Sequence, residues 1–203
     1  MHEIVSGILT WPWFSERHGY NFNGYLVRAA GGNICIDPPE PDAATLDEIC
    51  RLGVTRILLT NRNHVRAANA LRARTGARTA IHPEDAAHAC AQGAELDDEL
   101  QLGEEVGPLV VVGAAGKSPG EVALHWRERR LLIVGDSVIG NPPGQCSLLP
   151  ETVMDDPALL RASVRRLLAL DFDTLLVGDG APILGGARER LRVLVAGFEG
   201  AKA

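Results

Sequence analysis

Aromatic side chains are scarce: three Trp, two Tyr and four Phe make up 4% of the 203 residues, which leaves the interior to aliphatic packing. Long hydrophobic runs are missing too. The apolar stretches are of the length of Leu131 to Val134, against the ~20 residues that a membrane-spanning helix needs, and Met1 to Thr10 holds no basic region followed by an apolar one. On these absences no membrane partner is expected, and the expected location is the cytoplasm. Basic residues are outnumbered, 20 against 26 acidic, and the net charge of −6 would repel a phosphate backbone, so no nucleic-acid partner is expected. Cys35, Cys50, Cys90 and Cys146 form no C-x-x-C pair and no zinc-finger spacing, which points to reduced core thiols. A G-x-S-x-G elbow, H-E-x-x-H, a Walker loop and a strand-linked G-x-G-x-x-G are all absent.

What is present is the composition of an ordinary globular chain, 46% hydrophobic and 23% charged, with no linker, repeat or low-complexity tract. A single domain over 1–203 is expected. Strands are expected over Glu3 to Leu9, Phe22 to Arg28 and Asn33 to Asp37, the last two joined at Gly31-Gly32. Between the first two, Trp11, Trp13, Phe14 and Tyr20 concentrate the aromatics, either as a rim over a site or as a seal on one end of the core. Thr45-Leu-Asp-Glu48 reads as a capping box opening a helix that stops at Gly53. Strand Ile57 to Leu59, a polar loop Thr60 to His64, a helix Ala67 to Arg74 and a strand Ala77 to His82 follow. Further strands are expected over Leu109 to Val112, Val122 to Trp126, Arg130 to Val134 and Thr174 to Val177. Asp156-Pro157 starts a helix with Leu160, Val164, Leu167 and Leu168 as its apolar stripe, and Gly185-Gly186 opens a last one with Leu191, Leu194, Val195 and Phe198 inward. Helices then cover the outer faces of a sandwich of two mixed sheets.

Several landmarks fall in a telling order: Asn23-Gly-Tyr-Leu26 leading to Ile36-Asp37, then Ile57-Leu-Leu-Thr60, Gly116-Lys-Ser-Pro-Gly120, Gly135-Asp136 and Gly178-Asp-Gly180. Over nearly its whole length the chain resembles the metallo-β-lactamase superfamily. The resemblance implies an α/β (α+β) fold, the four-layer αβ/βα sandwich with a metal site at the sheet edge. Proteins of that family hold a zinc, iron or manganese pair on His and Asp ligands and use it to ionise a water. Here the ligand positions have changed. The family's H-x-H-x-D-H falls on Asn61, Asn63, Val65 and Arg66 without a gap, and neither valine nor arginine coordinates a cation. In a second register, two residues shorter, Asn63-His64-Val65 matches and His64 is a retained ligand. Lys117 stands where the family's G-H-[ST]-P-G has its histidine, Asp179 where the last segment has another, and Asp136 matches the bridging carboxylate.

Two expectations follow from the resemblance. In the first, the dinuclear site is degenerate and no cofactor is bound: the chain is a non-catalytic homologue of metal-dependent hydrolases, leaning away from being an enzyme. Lys117 then compensates Asp136 and Asp179 as an organic salt bridge in a remodelled small-molecule or protein pocket. Arg66 adds a second cation, and Asn61, Asn63 and Arg66 are ligand-binding. In the alternative, the chain is an active hydrolase of the thioesterase, lactonase or glyoxalase II kind. It uses one zinc, manganese or iron ion on His64, Asp136 and Asp179, or a metal-free carboxylate base. Asp136 also suits a simple loop cap, His64 a helix N-terminal contact, and Asn61 and Asn63 local backbone bonds. His82 and His125 read as structural. A homo-oligomer is a further expectation, favoured by a large apolar patch around Trp11 to Phe14.

Overall fold

Gly7, at φ +77°, breaks the expected first strand in two. Its left-handed backbone turns β1 (His2–Val5) back on β2 (Ile8–Ser15), with His2 opposite Thr10. In the computed structural model, residues 1–198 are described, and they divide between a unit over Met1–Gln101 and a second that begins at Leu102.

In the first unit β2 runs antiparallel to β3 (Tyr20–Val27) through all eight of its residues. The aromatic segment is therefore largely strand rather than loop. Trp11 is buried and its Nε1–H donates to the Pro39 carbonyl at 3.2 Å, which seals the core, while Trp13 (45% exposed) and Phe14 (58%) stay at the surface. β4 (Asn33–Ile36) closes the meander and starts the parallel half of the sheet: α1 (Ala43–Leu52), β5 (Val54–Leu59), α2 (Ala68–Thr75), β6 (Arg78–Ile81), α3 (Pro83–Ala91) and β7 (Asp98–Glu99). The seven strands lie in chain order. Ile49 of α1, Leu71 of α2 and Ala89 of α3 share one cluster with Cys35, Ile57 and Ile81, so all three helices cover the same face. Both faces of β5 are buried, which is why Ile57-Leu-Leu59 is an unbroken apolar run.

Two local expectations are corrected. The first helix is capped by Asp42, not Thr45: the Asp42 carboxylate accepts from the Thr45 N–H at 2.7 Å, so the helix starts three residues earlier and Thr45 lies inside it. Helix α3 was not foreseen, although His82 caps it and Pro83 occupies its first turn. The four cysteines are free as expected, but only Cys35 is a buried core thiol and Cys90 is exposed. Burial pushes the Cys146 thiol up to about 11, with Arg190 pulling it the other way.

Ion pairs tie α2 to the far edge of this sheet. Arg72 makes a two-pronged contact with Asp97, at 3.0 and 2.9 Å, and the same carboxylate accepts from the Thr79 N–H at 2.9 Å. Arg78 grips Asp98 in the same way. The Arg72 hydrogen bonds, then the Thr79 amide, hold Asp97 well below the usual carboxylate range, and Arg78 lowers Asp98. A depressed carboxylate contributes stability that is complete above its unfolded value, about 4, and is lost as pH falls toward the folded one. The thermal midpoint of Asp97→Asn is therefore expected below that of the parent chain at pH 7, with the gap closing between about pH 4 and the acid limit of folding. A gap independent of pH would contradict this.

In the second unit β8 (Glu105–Val106), β9 (Leu109–Gly113), β10 (Val122–Trp126) and β11 (Leu131–Val134) are antiparallel, and β12 (Thr174–Val177) adds parallel to β11. Short 3-10 turns lie at Arg127–Arg129 and Glu151–Val153. The β11-to-β12 crossover carries α4 (Pro157–Leu167), capped as expected by Asp156, which accepts from the Leu159 N–H at 2.8 Å. Leu160, Val164 and Leu167 of α4 and Leu191 of α5 (Ala187–Gly197) pack with Leu132, Val134 and Leu175 on one face. Each fully buried aliphatic side chain of this kind stabilises by roughly 1.5–3 kcal/mol.

Candidate functional site

Each unit gathers polar side chains at the carboxyl ends of its parallel strands. In the first unit the positions are set by the register of β4 and β5, in which Ile36 faces Leu58. Asp37 follows β4 and Thr60 follows β5 almost at once, so the two are neighbours. The Asp37 carboxylate accepts from the Thr60 N–H at 2.8 Å and from its hydroxyl at 2.5 Å. His64 Nδ1 lies 3.0 Å from the same carboxylate, 3.2 Å from Thr60 Oγ1 and 3.5 Å from Asn61 Nδ2. With an anionic acceptor so close, Nδ1 carries the proton, and the ring orientation is fixed by the carboxylate. Asp37, Thr60, Asn61 and His64 are all buried. Asn63 is held by its own N–H on Asn61 Oδ1 at 2.9 Å, and Arg62 by its N–H on the buried Asp85 of α3 at 2.9 Å. Arg66 lies at the end of this loop, its guanidinium 4.6 Å above the Phe22 ring.

In the second unit Val134 of β11 pairs with Val177 of β12, and Asp136 and Asp179 each lie two residues further on. Two carboxylates are thus carried to one end of adjacent strands, and both are buried. The cation that such burial demands is Lys117. Its ammonium is 2.8 Å from Asp136 Oδ2, with the two side chains only 8% and 7% exposed. Glu121, also buried, accepts the Asp136 N–H at 2.7 Å. The lysine loop is strapped to the start of α4: the Asp156 N–H donates to the Gly116 carbonyl at 2.8 Å and the Asp155 N–H to that of Lys117 at 3.2 Å. Gly116 has φ +140°, and a Cβ there would strike the backbone of Leu160, so only glycine allows this approach. On the other side Gly140 and Gly180 bridge in parallel, the Gly140 N–H donating to the Asp179 carbonyl at 2.9 Å.

Of the expected site residues, the structure joins Lys117 to Asp136, places Asp179 at the neighbouring strand end, and collects Asn61, Asn63 and His64 in one loop. Two participants were missed in the sequence. Asp37 was visible as the end of a strand and as a landmark of the resemblance but was given no role in the site, and Glu121 only as the residue after Gly116-Lys-Ser-Pro-Gly120. His125 is structural as expected, with Nε2 2.9 Å from the Asp171 carbonyl, and His82 caps α3.

A model described as "Metallo-beta-lactamase superfamily" matches residues 5–198. Two curated relatives are hydroxyacylglutathione hydrolases. The one from Cereibacter sphaeroides is 32% identical over 182 residues, covering 83% of this chain and 64% of its own. The one from Fuscovulum blasticum is 32% identical over 184 residues, covering 85% and 66%. The chain spans a little under two thirds of their length. Among solved structures, the protein TTHA1623 in a di-iron-bound form is 26% identical with a TM-score of 0.69, covering 89% of this chain and 98% of that one. The metallo-beta-lactamase family protein TTHA1429 from Thermus thermophilus has a TM-score of 0.74 at 20% identity over 98% of this chain and 81% of its own, a likeness of fold. The expected fold class, an α/β sandwich of this kind, is the one found.

These relatives overturn the expectation of a non-catalytic chain with a degenerate site. The finding against it is 32% identity to two hydrolases over 83% and 85% of this chain. The expected salt bridge between Lys117 and Asp136 is present, but the step from changed ligand positions to a chain without activity is what the relatives contradict. The expectation of no cofactor is corrected on the same ground, since one relative was solved with two irons. The donor set of this chain nevertheless does not fit the family's ion pair. Among the described residues no three His, Cys, Asp or Glu side chains gather in a way that could hold a metal, and an ammonium already occupies Asp136 Oδ2. Among those residues, too, no helix is long and apolar enough to cross a membrane.

Proposed function

From the premise that the chain belongs to the metallo-beta-lactamase superfamily, we propose that it is a hydrolase of acyl thioesters or related esters, the class of its hydroxyacylglutathione-hydrolysing relatives. The observation that carries this reading is the buried Lys117–Asp136 pair at the carboxyl ends of two parallel strands, where an α/β sheet offers its ligand crevice. A carboxylate and an ammonium at 2.8 Å supply both halves of acyl hydrolysis. Asp136 takes a proton from a water as its oxygen bonds to the acyl carbon. Lys117 donates to the oxyanion that forms, in a site dry enough to strengthen that contact. Collapse breaks the carbon–sulfur bond, and the leaving thiolate takes the proton back from Asp136. Asp179 adds negative charge beside the pair. Four free thiols support work in a reducing compartment such as the cytoplasm.

The test is thiol release from a hydroxyacyl-glutathione thioester, measured on chelator-treated protein and again after adding zinc, manganese or ferrous iron. Turnover above the buffer rate is expected, with Asp136→Asn reducing it by about 10²–10⁴-fold, the usual contribution of a general base. No release in any preparation, with an oxygen ester equally inert, would rule the reading out.

A further inference from the structure

The β2–β3 hairpin presents a set of rings, and the loop after β5 lays a cation over one of them; the hydrolytic reading uses neither. On β3, Phe22 packs against Trp13 with ring centroids 5.6 Å apart and against His18 at 5.3 Å. Arg66 lays its guanidinium over the same ring. Three observations separate it from an ordinary surface arginine. Its Nη1 is buried and has no hydrogen-bond partner among the described residues, whereas Arg72, Arg74 and Arg78 of the same unit each hold a carboxylate. Its backbone is at φ +21°, outside the regions that a residue with a Cβ adopts freely, and strain of that kind persists where the surroundings impose it, most often beside ligands. Trp13, the cross-strand partner of Phe22, is 45% exposed and keeps a large apolar face open to solvent.

We propose that Arg66, Phe22 and Trp13 form a receptor for an organic carboxylate, the guanidinium taking the carboxylate and the rings taking a flat apolar group attached to it. A guanidinium held face-on to a ring directs its N–H groups sideways, away from the stack, and that planar fork matches the two oxygens of a carboxylate. The ring contact restrains the side chain before the ligand arrives, so less freedom is lost on binding. A ligand carboxylate would supply the partner that the half-buried Arg66 side chain lacks among the described residues. The receptor is independent of thioester hydrolysis and stands or falls separately.

Isothermal titration with hippurate, a carboxylate on a flat aryl amide, and with its uncharged methyl ester tests the proposal on the whole chain. Hippurate is expected to bind about tenfold more tightly than the ester, the margin of one charge-assisted pair. Arg66→Gln is expected to abolish that preference. Arg66→Gly is expected to abolish it too while folding at least as readily, because glycine accepts φ +21° without strain. Equal binding of acid and ester to the parent chain, a preference that survives in both variants, or no binding of hippurate at millimolar concentration would each overturn it.

Discussion

Replacing Lys117 by methionine is expected to lower the free energy of unfolding by about 3–5 kcal/mol, read as a shift of the urea midpoint at unchanged slope. The size follows from burial. The ammonium and the Asp136 carboxylate are 2.8 Å apart and almost fully enclosed, so removing one leaves the other charged and dry. An exposed pair of the same geometry would contribute about 0–1 kcal/mol, and a result in that range would show that the pair is solvated. The double variant Lys117→Met, Asp136→Leu separates pairing from packing. It deletes both charges of the pair while the Asp136 backbone N–H keeps its bond to Glu121, and it is expected to recover part of the loss, the buried Asp179 keeping the rest. Failure of the double variant to recover at all would show that the Asp136 charge is not the source of the loss, and adding Asp179→Asn to it would separate the remaining carboxylate from the packing of the lysine stem.

The second large effect is expected at Asp37. Its carboxylate accepts from the Thr60 amide, the Thr60 hydroxyl and His64, all of them buried. Asp37→Ala strands all three donors and places an alanine at φ +48°, where aspartate is better tolerated. Hydrogen bonds to a charged group contribute about 1.5–3 kcal/mol each and do not add fully, so a loss of about 3–5 kcal/mol is expected. Asp37→Asn tolerates the backbone and keeps an acceptor, and it should lose roughly half as much. Hydrogen exchange at the Thr60 amide is the local readout: it should accelerate in both variants, and more in the alanine one. Unchanged protection of that amide would show that Asp37 does not hold the loop.

The legibility of the site differed from residue to residue for physical reasons. Lys117 could be singled out only through the resemblance that puts it in place of a histidine, since a glycine-bracketed loop by itself suits a solvated lysine; its orientation into the site is decided by the backbone of Leu160 against Gly116 and by the straps to α4. The alternative registers of the Thr60 to Arg66 loop are local by nature, and local sequence offers no term to choose between them. The Asp37 contact that orients His64 crosses 27 positions of chain and depends on β4 and β5 lying side by side. Glu121 is a surface-type residue in composition, and its burial comes from the β10 strand start meeting the end of β11. The aromatic segment illustrates the same limit. Its scarcity value was plain, but only pairing with β3 divides it into a buried Trp11 and an exposed Trp13.

Local chemistry was enough to determine the secondary structure wherever a cap, a breaker or a periodic stripe acts within a few residues: Asp156-Pro157 and the Leu160 face of α4, the stop at Gly53, the run from Ile57 to Leu59. The order of those elements, with its glycine and aspartate landmarks, also carried the fold class. Tertiary structure alone decided the charges. Whether a lysine pairs with a carboxylate, and whether that carboxylate is dry, depends on parts of the chain far apart in sequence, and the free energy of a charge is set by what surrounds it. Sequence names the groups that can ionise, and packing decides how strongly each is held.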